Sequence, residues 1–197
     1  MALKSRQLST RGIGHGIQTD NAHLEEKVYL RRQATKDLQT LKVLDLFAGE
    51  NVLWSHFECE RYYGVEQQKG KGKNLWADNR KVIPSIDLSQ FNVIDVDSYG
   101  IPFPQMEQIF SNPTLQNGTV IVYTCIGNSI SALSTQMQKR FRIAEMYKEA
   151  QTLFNDFGHE YFYAYLYDNG VRTVTEYKPN DKSFNKSYGF FVYHKTV

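Results

Sequence analysis

The amino-acid sequence predicts an α/β fold, a mostly parallel sheet with helices on both faces that ends in antiparallel C-terminal strands. Three observations predict it. Short apolar runs closed by small or acidic residues recur along residues 42–125, with helical spacing between them, the rhythm of parallel strands joined by crossovers. Beyond Asn155 that rhythm gives way to aromatic, β-rich segments separated by polar turns. A composition of 41% hydrophobic and 14% aromatic over 197 residues belongs to a folded chain with one sizeable core, and excludes the disordered class.

Along the chain, residues 1–22 alternate Gly12, Gly14 and Gly16 around His15 and predict a flexible arm ahead of a single domain at 23–197. Leu24, Val28, Leu30, Ala34, Leu38 and Leu41 recur at roughly helical spacing, with Asn21 as a candidate cap. The period then shortens. Residues 42–47 predict a buried strand closed by Ala48-Gly49, residues 52–59 a helix, and residues 61–66 a second strand. A helix at 67–76 is weakened by Gly70 and Gly72, and residues 91–97 predict another strand. A helix at 104–110, the strongest strand at 118–125 and a helix at 136–157 follow. The tail predicts strands at 161–167, 171–177 and 188–194, with Asp168-Asn169-Gly170 as a hairpin turn and a polar loop at 179–186.

Composition bounds function as well. With 23 basic and 21 acidic residues the net charge is +2, which neither demands nor excludes a polyanionic partner. Cys59 and Cys125 are far apart and without a partner motif, so no disulfide framework or zinc site is expected, and a reducing, cytoplasmic setting is. No metal site is expected. No apolar run approaches the roughly 18 residues of a membrane span, and the segment from Met1 lacks the apolar core of a secretory signal.

In an open parallel sheet ligands bind beyond the carboxyl ends of the strands, where strand order reverses. Acids stand at such ends here: Asp45, Glu66, Asp95 and Asp97. Glu66 follows the Ala48-Gly49 turn by about 20 residues, the spacing at which a carboxylate meets the ribose of a nucleoside. Gly49 lets main chain approach a ligand, while Glu50 would repel a phosphate and suits a positively charged cofactor better. The plainer alternative makes Asp45 a turn cap and Glu66 a solvated strand end.

On these residues the chain resembles class I S-adenosylmethionine-dependent methyltransferases. The stretch Val43-Leu-Asp-Leu-Phe-Ala-Gly-Glu-Asn51 is similar to their first motif, and Tyr63-Gly-Val-Glu66 to their second strand with its ribose-binding acid. Ala77-Asp78-Asn79 looks like the adenine-contacting segment, and residues 92–102 like the fourth motif. The resemblance implies a Rossmann-like methyltransferase sheet and S-adenosyl-L-methionine as cofactor. It carries the cofactor-binding role onto Asp45, Phe47, Ala48, Gly49, Glu50, Glu66, Asp78, Asn79 and Asp95. The fourth-motif segment, Ile94-Asp-Val-Asp-Ser-Tyr-Gly-Ile-Pro102, is distantly similar to that of tRNA guanine 2-amino methyltransferases. Two departures are visible: a glycine usually follows where Glu50-Asn51 stands, and Ser98 replaces a proline.

The resemblance implies transfer of a methyl group to an exocyclic amine of a nucleic acid base, RNA being favoured over DNA as partner. Asp97 and the Ser98 carbonyl would accept the amine protons, and Tyr99 would stack on the base. Asp97-Ser98 as a turn with Tyr99 in the core is the structural alternative. A small-molecule or protein methyltransferase, or a non-catalytic cofactor-binding module, remains open. Arg6, Arg11, Arg31, Arg32 and Lys36 are candidates for a basic rim with Lys139, Arg140 and Arg142, against the plainer reading of solvated faces.

Overall fold

The computed structural model describes residues 23–72, 74–126, 151–178 and 186–195, together with Lys139, Glu145 and Glu149. Seven strands form one sheet: β1 (Lys42–Asp45), β2 (Arg61–Glu66), β3 (Leu75–Trp76), β4 (Val93–Val96), β5 (Val120–Ile126), β6 (Thr175–Tyr177) and β7 (Lys186–Val192). Their order is β3-β2-β1-β4-β5-β7-β6. The first five run parallel, while β7 is antiparallel to both β5 and β6. Strand order reverses between β1 and β4, so their carboxyl ends open the crevice where a ligand is expected. Asp45 and Asp95 face each other in register across that point.

The strands are apolar on both faces because both are covered, and alternate residues enter different cores. Leu44, Ile94, Ile121 and Tyr123 pack under α3 (Phe103–Ser111) and α4 (Gln151–Asp168), with Phe103, Met106, Phe162 and Tyr165. Val43, Val93, Val120 and Val122 point the other way, toward Leu30 and Ala34 of α1 (Leu24–Thr35) and toward Trp54. Each such aliphatic side chain contributes about 1.5–3 kcal/mol by leaving water.

Four local expectations are corrected. The helix expected at 52–59 is only a 3-10 turn, Trp54–His56, because Asn51 leaves the helical region at φ 64° and the Trp54 indole is drawn to Asp95. The helix expected at 67–76 is a turn in which Gly70 and Gly72 take φ 87° and 57°, after which Leu75–Trp76 pairs with β2. The aromatic segment 161–167, read as a strand, lies within α4: Phe162, Tyr165 and Leu166 are buried at helical spacing. Aromatic content raised the strand signal, and the burial period decides against it.

The expected hairpin at Asp168-Asn169-Gly170 is instead the C-terminal cap of α4. Val171 N–H reaches the Leu166 carbonyl at 3.0 Å and Gly170 N–H the Tyr167 carbonyl at 3.0 Å. This is a Schellman closure, with Gly170 supplying the left-handed residue at φ 88°. The strand expected at 171–177 shrinks accordingly to β6. The first arm at 1–22, most of the helix expected at 136–157 and the loop at 179–185 lie outside the described residues, as do His15, Arg6, Arg11, Arg140 and Arg142. Among the described residues no helix is long and apolar enough to cross a membrane.

Candidate active site

Two groups of residues meet at the switch point. The first surrounds the turn after β1. Asp45 is buried; its Oδ1 accepts the Phe47 N–H at 3.1 Å and its Oδ2 the Tyr62 hydroxyl at 2.9 Å. Burial and the neighbouring Asp95 carboxylate push its carboxyl up to about 8. Ala48 N–H bonds to the Val65 carbonyl at 3.1 Å, and Asn51 N–H to the Ala48 carbonyl at 2.8 Å, which closes the turn. Gly49 and Asn51 both take left-handed φ, 53° and 64°. Asn51 thus keeps a conformation that glycine adopts freely, and asparagine is among the few other residues that tolerate it.

Glu66 ends β2 beside this turn. Its Oε2 accepts the Gly49 N–H at 2.9 Å and its Oε1 the Gln68 N–H at 2.7 Å. A carboxylate has about four acceptor sites, so about two remain for hydroxyl donors of a bound group. Asn74 spans the turn from the side, donating to the Gly49 carbonyl at 2.9 Å and the Lys71 carbonyl at 3.2 Å. Its Oδ1 is buried without a hydrogen-bond partner, and it lies where a Cβ on Gly64 would come within 2.1 Å. Only glycine fits at 64 with Asn74 so placed.

Asp78 and Asn79 are largely committed to the fold. Asp78 caps α2 (Asn79–Val82), accepting the Arg80 N–H at 3.0 Å, and its other oxygen pairs with Arg80 Nη2 at 2.9 Å. Asn79 donates to the Leu46 carbonyl at 2.8 Å and accepts from Gln105 at 3.3 Å, tying β1 to α2 and α3.

The second group lies at and beyond the end of β4. Asp95, expected among the cofactor contacts, is taken up internally. The Arg31 fork reaches it at 2.7 Å through Nε and 2.8 Å through Nη2, and Trp54 Nε1 donates at 2.7 Å. Arg31 and Asp95 side chains are both 0% exposed, so the placement of Arg31 on a basic rim is also corrected: it is a buried ion pair pinning α1 to the sheet. Asp97 receives Lys27 Nζ at 2.6 Å on Oδ2 and the Thr124 hydroxyl on Oδ1. Burial opposes its charged form, but Lys27 and Arg31 prevail and hold it below the usual carboxylate range.

Ser98 is buried, its hydroxyl donating to the Thr124 carbonyl at 3.1 Å. Tyr99, next along, is 63% exposed, so the alternative that places it in the core is excluded. Cys125 is buried, in keeping with packing.

The structure therefore brings Asp45, Gly49 and Glu66 to one turn, and sets Asp95 and Asp97 on the neighbouring strand end. It adds Lys27, Arg31, Trp54, Tyr62, Asn74 and Thr124, none of which the sequence had marked for these places. Lys27 and Arg31 did carry a signal: two cations one turn apart on an apolar helix face.

No family model matches the chain, and no curated protein matches it in sequence. Solved structures do. Trm1 from Pyrococcus horikoshii, in complex with S-adenosyl-L-methionine, is 13% identical over 87% of this chain and 54% of its own, with a TM-score of 0.55. The protein yhhF from Escherichia coli is 10% identical over 94% of this chain and 92% of its own, with a TM-score of 0.54. An rRNA methylase from Streptococcus thermophilus is 10% identical over 90% of this chain and 98% of its own, with a TM-score of 0.50. The chain has the class I methyltransferase fold.

Proposed function

We propose that this chain is an S-adenosylmethionine-dependent methyltransferase acting on an exocyclic amine of a nucleic acid base, RNA favoured over DNA. The observation that carries the reading is the pairing of two half-sites at the switch point, the Gly49–Glu66 turn after β1 and the ionised Asp97 beyond β4. The cofactor in the Trm1 structure and the RNA named for the Streptococcus methylase support it.

The residues present fit the cofactor. Glu66 keeps acceptor sites for ribose hydroxyls, the unpartnered Asn74 Oδ1 sits beside the same turn, and the acidic Glu50 in the loop suits a sulfonium cation. The bound cofactor would supply an electrophilic methyl group. Phe47, Ala48, Asp78 and Asn79 would frame it as the family resemblance implies.

At the acceptor side Asp97 stays charged at neutral pH, so its role is to accept an N–H and fix the amine's lone pair, not to act as a strong base. An aryl amine is a poor nucleophile, and holding it in line supplies much of the rate. The Ser98 carbonyl would accept the second N–H, and the exposed Tyr99 ring would stack on the base. Lys27 on Asp97 favours a second reading, a non-catalytic module whose acceptor site is closed by its own ion pair. We place the protein in the cytoplasm, where its free Cys59 and Cys125 would remain reduced, with residues 1–22 as an arm near the acceptor.

The test is methyl transfer from labelled cofactor to total RNA, DNA and protein of the source cell, beside melting curves with S-adenosylmethionine or its demethylated product. Both ligands should raise the melting temperature by mass action, and label should enter RNA. Tyr99→Ala should weaken RNA binding by about 1–3 kcal/mol if a base stacks there. Label in protein or small molecules alone overturns the acceptor class, and cofactor binding without any transfer supports the second reading.

A further inference from the structure

We propose that Lys27 is a gate on the acceptor site: its ammonium group holds the place beside Asp97 that an acceptor amine would take, and an acceptor enters by displacing it. The inference rests on the methyltransferase reading of Asp97. Lys27 Nζ stands 2.6 Å from Asp97 Oδ2 and 5.7 Å from the centroid of the Tyr188 ring. A carboxylate beside an aromatic face is the surrounding that recognises an alkylammonium group. Thr124 takes the other oxygen of Asp97, so an incoming amine competes for Oδ2.

Lys27 is suited to leave and Arg31 is not. Arg31 is locked on Asp95 by a two-pronged contact and by Trp54, wholly out of solvent. Lys27 holds Asp97 by one ion-pair contact at the end of a flexible four-carbon stem, with the Tyr188 ring 5.7 Å away, and its side chain is 9% exposed. It also lies near the N-terminal end of α1, where the helix dipole disfavours a cation, so Asp97 is what keeps it inside. An amine that enters replaces one N–H donor on Oδ2 by another, and the released lysine regains water.

The first experiment needs no methyl transfer. Lys27→Ala removes the stem and leaves the carboxylate beside Tyr188, where propylammonium chloride should bind. The melting temperature of the variant should rise with millimolar propylammonium and not with tetramethylammonium, which has no N–H; wild type should respond to neither. If the variant is unfolded without amine, recovery of cooperative unfolding on adding propylammonium counts as the same result. No response to propylammonium overturns the proposal. The second experiment measures transfer to total RNA: Lys27→Ala should lower KM for RNA several-fold with cofactor affinity unchanged. A raised KM, or methylation of Lys27 itself by intact-protein mass, overturns the gate. If neither protein transfers methyl to RNA, DNA or protein, the functional reading fails, and the propylammonium response still decides whether an amine site exists.

Discussion

Asp45 at the end of β1 and Asp97 just beyond β4 are both shielded carboxylates at the switch point, yet their partners differ in kind. Asp45 is held by a main-chain N–H and a tyrosine hydroxyl, and burial pushes it up to about 8. Asp97 faces Lys27 and, further off, Arg31, and is held down. The proposed cofactor side is thus built from neutral donors within residues 45–74, and the proposed acceptor side from cations that α1 brings across the sheet. A buried acid that is to stay ionised needs a cation near it, and Arg31 remains near Asp97 whatever becomes of Lys27.

The largest expected effect separates the two sides by stability. Arg31→Met leaves Asp95 buried without its ion partner and should cost about 3–5 kcal/mol, measured by urea unfolding. Trp54, donating to the same carboxylate, should change its fluorescence in the same variant. A loss below about 1 kcal/mol would show that α1 is not held by its cations.

Next comes the cofactor side, read by binding. Glu66→Ala should weaken S-adenosylmethionine by about 1–3 kcal/mol in calorimetry, the range for leaving hydroxyls without a charged acceptor. Glu66→Gln keeps an acceptor for the Gly49 N–H and should lose less. Equal losses in the two variants would place the effect in charge and not in the shape of the turn.

The cofactor side was also the more legible in sequence, for a physical reason. The turn after β1 and Glu66 fall within a short, continuous stretch and follow from strand-end position and spacing. The acceptor side depends on Lys27 and Arg31, 70 and 64 residues from their partners, and no local pattern records such a pair. Asp95 shows the same limit, since a strand-end acid looks alike whether it faces a ligand or an arginine. In the tail, Phe162 and Leu166 sit among tyrosines whose β preference masked the helical burial period. Gly170 marked a chain reversal correctly, but a glycine in the left-handed region serves a helix cap as well as a hairpin.

A pH dependence also contrasts the two acids. A carboxyl raised to about 8 when folded, from about 3.9 when unfolded, binds its proton more tightly in the native state. Its contribution to stability is therefore full below about pH 4, falls as pH rises through that window, and levels off above about pH 8. Asp97 runs the other way: its contribution is present above the unfolded value of about 3.9 and is lost as pH falls through its lower folded value. Asp45→Asn should flatten the decline between about pH 4 and 8, a slope of at most about 1.4 kcal/mol per pH unit for one group. Denaturant midpoints across that range measure it, and an unchanged slope would remove Asp45 as its source.

The smallest effect tests what holds the turn after β1 in its left-handed conformation at a residue other than glycine. Asn51 holds φ at 64°, and its Oδ1 lies 3.1 Å from the Tyr62 hydroxyl that also serves Asp45. Asn51→Gly removes that side-chain contact but adopts the backbone conformation freely, so unfolding free energy should change by less than about 0.5 kcal/mol. Asn51→Ala must take the left-handed conformation with a Cβ and no polar group to favour it, which costs about 1–2 kcal/mol. The two variants delete nearly the same side-chain contact, so their difference isolates the backbone. If alanine is as well tolerated as glycine, the turn does not enforce φ at 51. If alanine is costly and glycine is not, asparagine is a working substitute for glycine, and calorimetry with S-adenosylmethionine should find the Asn51→Gly variant binding as the wild type does.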